Sequence, residues 1–284
     1  MPAAETDASI LVVQGPEATA LRAAALAEMC GAEQTEAAAE RAWRLRGVQR
    51  RAGVAAWCEA HRLDYAWVPA GRRFGGLKLL AMDMDSTLIT IECIDELGGY
   101  AGRKQEVAAI TAQAMRGEID YPESLRRRVA LLAGLDEEVL QEVYDDKLRL
   151  SPGAQTLVAA CKAKGVRLLL VSGGFTFFTG RLKDRLGFDD TISNVLEIES
   201  GRLTGRVLGT IVDADAKAAK FRQVAQRLGA ARDQTLAIGD GANDLKMMAE
   251  AGTSIAYRAK PVVRAQASCA LNYAGLDGVL NLFD

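Results

Sequence analysis

Apolar positions in this chain fall into short, nearly unbroken runs, and most of the runs end in a small or acidic cluster. Leu79-Leu80-Ala81-Met82, Val166-Arg167-Leu168-Leu169-Leu170-Val171 and Thr235-Leu236-Ala237-Ile238-Gly239 are the clearest. Runs of this length without polar alternation read as strands buried on both faces, as in a parallel sheet. Helical stretches separate them. Pro152-Gly153-Ala154 opens a helix to about Lys164, which Gly165 closes. Further helices are expected from Phe178 to Leu186 and from Asp215 to Leu228. From Leu196 to Val207 the pattern alternates around Ser200-Gly201, a hairpin signal. Ala256 and Ser268-Cys269-Ala270-Leu271 read as short edge elements. This rhythm predicts an α/β fold, and no internal repeat is visible.

Two regions depart from the rhythm. Residues 1–70 read as a small α/β domain of β-α-β-α-β order. Its strands are expected at Ser9–Gln14, Ala42–Val48 and Asp64–Pro69, and its helices at Ala18–Cys30 and Ala52–Arg62. Gly71-Arg72-Arg73-Phe74-Gly75-Gly76 then reads as a Gly-rich linker or turn. The segment 93–149 is helical in pattern with few strand signals. Placed between one strand and the next, such an insertion reads as a lid, here called a cap. The core would then comprise residues 77–92 and 150–284.

Composition narrows the class. The 284 residues are 49% hydrophobic and 25% charged, with a formal net charge of −2. With a pI near 5.7, this gives no electrostatic footprint for nucleic acid. No apolar stretch approaches the roughly 20 residues of a membrane-spanning helix. Met1-Pro2-Ala3-Ala4-Glu5-Thr6-Asp7 lacks the basic-then-apolar pattern of a signal peptide. The five cysteines, Cys30, Cys58, Cys93, Cys161 and Cys269, are scattered. They fit reduced thiols in the cytoplasm rather than a disulfide framework or a zinc site. His61 is the single histidine. Chemistry built on a Ser-His pair or a His-rich metal cluster is thereby set aside, and His61 reads as a surface helix residue.

Candidate chemistry gathers at strand ends, where open α/β sheets bind ligands. Asp83 and Asp85 follow the run Leu79–Met82 directly. Two neighbouring carboxylates repel each other, and their burial is costly unless compensated. A hard cation such as Mg²⁺ resolves that cost. Three other groups stand in comparable places: Ser172-Gly173-Gly174, Lys217, and Gly239-Asp240-Gly241-Ala242-Asn243-Asp244. Each alone has a bland reading, as a tight turn, a solvated lysine or a helix N-cap. In this order, each after an apolar strand, they read as one site.

Together these motifs, D-x-D-S-T, a strand-end Ser, a Lys and G-D-G-x-N-D, resemble the haloacid dehalogenase (HAD) superfamily of phosphotransferases. The resemblance is closest to its phosphoserine phosphatase family and covers about residues 77–284. Glu92, in Thr90-Ile91-Glu92-Cys93, and Arg128, in Ser124-Leu125-Arg126-Arg127-Arg128-Val129, match positions particular to that family. The resemblance implies a HAD-like Rossmannoid core, a parallel sheet flanked by helices with a helical cap inserted after the first catalytic strand. It also implies Mg²⁺-dependent hydrolysis of a small substrate, O-phosphoserine. In that reading Asp83 is the nucleophile. Asp85 protonates the leaving oxygen and then activates water. The Asp83 carboxylate, the Asp85 backbone carbonyl and Asp240 hold the metal. Ser172, the amide of Gly173 and Lys217 contact phosphate, with Lys220 the competing lysine. Asn243 holds the phosphate side, and Asp244 braces the loop. Glu92 receives the ammonium and Arg128 the carboxylate. Met115 and Tyr121 line the apolar side of the pocket, the family commonly having Phe in place of Tyr121.

Two other classes compete. One keeps the fold but acts on a different phosphate ester, and the Glu92 and Arg128 pair argues against it. The other is a binding protein without turnover, and retention of both Asp83 and Asp85 argues against that. For residues 1–70 three roles stay open: binding serine as an effector, forming a homodimer, or capping the core.

Overall fold

The computed structural model describes residues 9–284; the Met1–Asp7 stretch lies outside the described residues. The chain begins with β1 (Ser9–Gln14), α1 (Ala20–Cys30), β2 (Gln34–Ala39), β3 (Ala42–Arg46), α2 (Val54–Ala60) and β4 (Asp64–Pro69). The four strands form an antiparallel sheet in the order β2-β3-β1-β4. The order is therefore β-α-β-β-α-β, with one strand more than the pattern predicted. The additional strand, Gln34–Ala39, is almost wholly exposed, so burial leaves no apolar alternation in it. Pairing with β3 makes it a strand.

The run Ser9–Gln14 is apolar because both faces of β1 are covered. Leu11 and Val13 pack with Leu26, Cys30, Val54 and Cys58 of α1 and α2. Ile10 and Val12 join the large core of the rest of the molecule, together with Leu77, Tyr257 and Leu276. His61 caps the C-terminus of α2 with its ring stacked on Trp57.

The larger sheet is built from β5 (Leu79–Met82), β6 (Arg167–Phe175), β7 (Asp190–Glu199), β8 (Arg202–Leu208), β9 (Thr235–Gly239), β10 (Thr253–Tyr257) and β11 (Cys269–Leu271). Its order is β11-β10-β9-β5-β6-β7-β8. All pairs are parallel except β7 with β8, the hairpin expected from the alternating pattern. β5 is the central strand. Leu79 and Ala81 face Phe221, Val224, Met247 and Met248, whereas Leu80 and Met82 face the other core. Ala256, expected in an edge element, lies in β10 inside the sheet, and of the two expected edge elements only Cys269–Leu271 forms one, opposite the β8 edge.

Between β5 and β6 the chain forms α3 (Cys93–Tyr100), α4 (Lys104–Met115), α5 (Tyr121–Ala130), α6 (Glu138–Glu142) and α7 (Ala154–Ala163). Helix α5 starts at Asp120, whose side chain accepts from the Glu123 N–H at 2.8 Å, with Pro122 in the first turn. Helices α8 (Thr176–Leu186), α9 (Ala214–Arg227), α10 (Leu245–Glu250) and α11 (Pro261–Arg264) complete the α/β alternation.

Candidate active site

The central strand stops at Met82, and the next residues fold into a tight loop. The Leu88 N–H donates to the Asp83 carbonyl at 3.3 Å and the Ile89 N–H to the Met84 carbonyl at 3.0 Å. Ser86 sits in the left-handed region at φ 55°, which non-glycine residues seldom occupy. Its hydroxyl donates to Glu92 Oε1 at 2.6 Å, and its N–H donates to the Ile91 carbonyl. The reversal places Asp83 at the end of the sheet and turns Asp85 toward α3. There the Cys93 N–H donates to Asp85 Oδ1 at 3.0 Å, so the carboxylate lies at the helix's positive end.

Helix α9 brings in the matching cation. Lys217, Ala218, Phe221 and Val224 form its buried stripe, so the lysine is carried inward with apolar neighbours. Its ammonium donates to Asp83 Oδ1 and to Asp244 Oδ1, both at 2.8 Å. Both Lys217 and Asp244 are fully buried. Burial alone would lower the lysine's pKa, but the charges of Asp244 and Asp83 outweigh it and hold the ammonium above its ordinary range. The loop after β9 supplies Asp244, whose second oxygen accepts from the Gly241 N–H at 3.1 Å. Gly239 is required there, because a Cβ would lie 2.5 Å from the Asp244 side chain.

Asp83, Asp240 and Asp244 each present an oxygen, all within 4.8 Å of one another. Burial raises the Asp83 carboxyl well above its usual value, and repulsion from Asp244 adds to this against the pull of Lys217. Burial and repulsion from Asp244 and Glu92 push Asp240 to about 7. Asp85 also rises to about 7, through burial and the nearby Glu92. Burial raises Glu92 as well, the Ser86 hydroxyl opposing it. Four carboxyls held above their usual range, Asp83 buried, Asp85 and Asp240 half-buried and Glu92 open to the cavity mouth, mark a site short of positive charge. Three of the site's carboxylates, with hard oxygen donors at close range, fit a hard divalent cation. The Asp85 carboxylate is outside this three-carboxylate cluster and accepts from the Cys93 amide; the ligand expected of Asp85 is its backbone carbonyl.

Above these groups is a cavity of about 490 Å³. Asp83, Asp85, Glu92, Met115, Tyr121, Arg128, Gly173, Asp240 and Asn243 line it. Ser172, Lys217 and Asp244 are buried directly behind that lining. Ser172 Oγ accepts from the Gly174 N–H at 2.8 Å, which shapes the turn after β6. Tyr121 donates from the cap side to the Gly173 carbonyl at 3.0 Å. A Cβ on Gly173 would collide with that hydroxyl. Of the two competing lysines, Lys217 is at the site, and Lys220 pairs instead with Asp190 at 2.9 Å.

Sequence reasoning missed Lys260. It lines the cavity, its N–H donates to the Asp240 carbonyl at 3.2 Å, and its Nζ stands 4.0 Å from Met115 Sδ of the cap. The strand-end rule applied to β10 would have pointed to it, since it follows that strand by three residues. Of the three consecutive arginines, Arg128 alone reaches the cavity lining.

Residues 80–249 match the haloacid dehalogenase-like hydrolase family. Over 215 residues the chain is 57% identical to a phosphoserine phosphatase of Polaromonas sp., covering 74% of this chain and 91% of that relative. The crystal structure of a probable phosphoserine phosphatase from Vibrio cholerae superposes with a TM-score of 0.84 at 39% identity, over 97% of this chain and 86% of that one. A phosphoserine phosphatase structure solved as a phospho-aspartyl intermediate analogue gives a TM-score of 0.69 at 35% identity, over 73% of this chain and 99% of that one.

Proposed function

Since the chain belongs to the haloacid dehalogenase-like hydrolases, and within them to the phosphoserine phosphatase family, we propose that it hydrolyses O-phospho-L-serine to L-serine and phosphate, the last step of serine synthesis. One observation carries the reading. A buried carboxylate, Asp83, is clamped by Lys217 on the floor of a cavity whose walls set Glu92 beside Arg128, with Lys260 a second cation on the lining. That is the charge pattern of an amino-acid phosphate with its phosphorus directed at Asp83.

In the first half-reaction an Asp83 oxygen attacks phosphorus while the ester P–O bond breaks, leaving an acyl phosphate on Asp83. Asp85, a carboxyl whose pKa of about 7 leaves it substantially protonated near neutrality, gives its proton to the departing serine oxygen. In the second, Asp85 takes a proton from the water that attacks the same phosphorus, and Asp83 departs as the carboxylate. Lys217 holds Asp83 in place and balances its charge. Ser172 and the Gly173 amide orient phosphate oxygens, as does Asn243. Glu92 and Arg128 bind the ammonium and carboxylate, and Met115 and Tyr121 close the apolar side. Asp83 and Asp240, with Asp244 beside them and the Asp85 carbonyl, are the groups that would hold Mg²⁺. When bound, the cation neutralises phosphoryl charge. The unpaired cysteines fit a reducing, cytoplasmic setting.

The test is phosphate release from L-phosphoserine with Mg²⁺, with a chelator, and against a panel of other small phosphate esters. Metal-dependent preference for phosphoserine is expected, and Asp83→Asn should lose at least about a thousandfold in kcat. Release from the panel but not from phosphoserine would discard the substrate. Near wild-type turnover by Asp83→Asn would discard the nucleophile.

A further inference from the structure

On α5, the residues Tyr121, Ser124, Leu125 and Arg128 all line the cavity. Their spacing, i, i+3, i+4 and i+7, makes them one face of the helix. Three have evident tasks or partners. Tyr121 bonds the core at the Gly173 carbonyl, Leu125 belongs to the apolar core, and Arg128 is the one cation of the stripe. Ser124 has none. It is 1% exposed, and its hydroxyl is buried with no hydrogen-bond partner among the described residues.

A hydroxyl buried without a partner is a cost the fold does not need to carry, since alanine would fill the same position on the helix without it. Arg128 repeats the pattern one turn further on. Its Nε makes only a long bond of 3.4 Å to the Ser124 carbonyl, and the carboxylates of Asp95 and Glu92 act on its charge without reaching ion-pair distance. Two neighbouring donors on a cavity-facing stripe, both without a full partner, are arranged to meet one acceptor group.

We propose that Ser124 is a specificity-determining residue, its hydroxyl donating to the substrate carboxylate that Arg128 also holds. This rests on the phosphoserine reading and adds to it. The arginine supplies charge and the hydroxyl fixes orientation, so the two together favour a substrate bearing a carboxylate beside its ammonium. Phosphoethanolamine is phosphoserine without that carboxylate and has nothing to offer Ser124.

The experiment compares wild type, Ser124→Ala and Ser124→Thr with phosphoserine as substrate and phosphoethanolamine as competitor, alongside thermal unfolding of each ligand-free protein. Ser124→Ala should raise KM for phosphoserine about tenfold, the worth of one hydrogen bond to a charged group, with kcat within twofold. The inhibition constant of phosphoethanolamine should stay unchanged. Ser124→Thr, which keeps the hydroxyl, should recover most of the lost affinity. The midpoint of ligand-free Ser124→Ala should not fall. An unchanged KM, or equal weakening of both compounds, would overturn the assignment. A fall in the ligand-free midpoint would overturn it too, by showing a structural role. If wild type itself fails to turn over phosphoserine, the functional reading has failed first, and that outcome is distinguishable from the others.

Discussion

At the scale of single residues, the site is an electrostatic problem. Asp83, Asp85, Glu92 and Asp240 are all pushed upward by burial. Against them stand Lys217 inside, and Arg128 and Lys260 on the cavity wall. A dianionic ester approaching that many carboxylates is repelled unless cations at the mouth offset them. Lys260 is exposed, spans from the core to Met115 of the cap, and holds down the pKa of both Glu92 and Asp240 as a secondary influence. Lys260→Ala should therefore lower kcat/KM for phosphoserine by about three- to tenfold, and the loss should shrink as salt is raised, because screening weakens an exposed charge. Lys260→Arg should restore most of it. A loss independent of ionic strength would mean that Lys260 acts by packing against Met115 instead. The carboxylates proposed to carry the reaction, Asp83, Asp85 and Asp240, were legible in the sequence because each sits in a short motif just after a core strand, whereas Lys217 arrives on α9. Lys260 is passed over because the run around Ala256 reads as an edge element rather than a strand of the sheet, and Ala259-Lys260-Pro261 taken alone looks like an ordinary helix start. Ser124 escaped too: only its burial distinguishes it.

At the scale of elements, the register of α9 decides which lysine meets Asp83 and which ties the helix to the sheet. Lys217 and Lys220 are three residues apart and point to different partners. Lys220 and Arg227 tie α9 to the start of β7 through Asp190, at 2.9 and 3.2 Å. Partial burial alone would raise the Asp190 carboxyl, but hydrogen bonds and charge from Lys220, with Arg227 and the Thr191 N–H, bring it below its ordinary 3.8. A carboxylate depressed in the folded state stabilises above its unfolded pKa and loses that contribution as pH falls through the folded value. Asp190→Asn should thus cost about 0.5–1 kcal/mol at pH 7, modest because Arg227 is largely exposed. The gap from wild type, followed by urea unfolding across a pH series, should close below about pH 4. A gap that persists in acid would assign the effect to packing. The cap and the core strands were readable from apolar periodicity, whereas β2 was not. Gln34–Ala39 faces solvent almost throughout, and a strand held by its neighbour's backbone leaves no pattern in its own side chains.

At the scale of the molecule, the small sheet is joined to the large one by burial and by one carboxylate. Asp64, at the start of β4, is 2% exposed and accepts from the backbone N–H groups of Asn272, Tyr273 and Ala274 at 2.7, 3.0 and 2.8 Å. Gln14 adds a bond to the Gly278 carbonyl at 3.0 Å, and Ile10, Val12 and Ala66 enter the same core as Leu276 and Val279. These partners are more than 200 residues apart in the chain, so no local pattern could announce them. Asp64 reads in the sequence as an ordinary polar residue at a strand start. Because the two sheets share one core, they should unfold together in a single transition. Asp64→Ala leaves three buried amides without an acceptor, each costing about 1–3 kcal/mol. It should lower stability by about 3 kcal/mol or more and separate the small sheet's unfolding from the core's in calorimetry. None of the residues involved lines the cavity, so kcat for phosphoserine should stay near wild type at temperatures where the variant remains folded. A variant that melts in one transition at the wild-type midpoint would show that the shared apolar surface alone holds the two sheets together. Loss of kcat without loss of stability would instead show that the docking of the small sheet governs the active site.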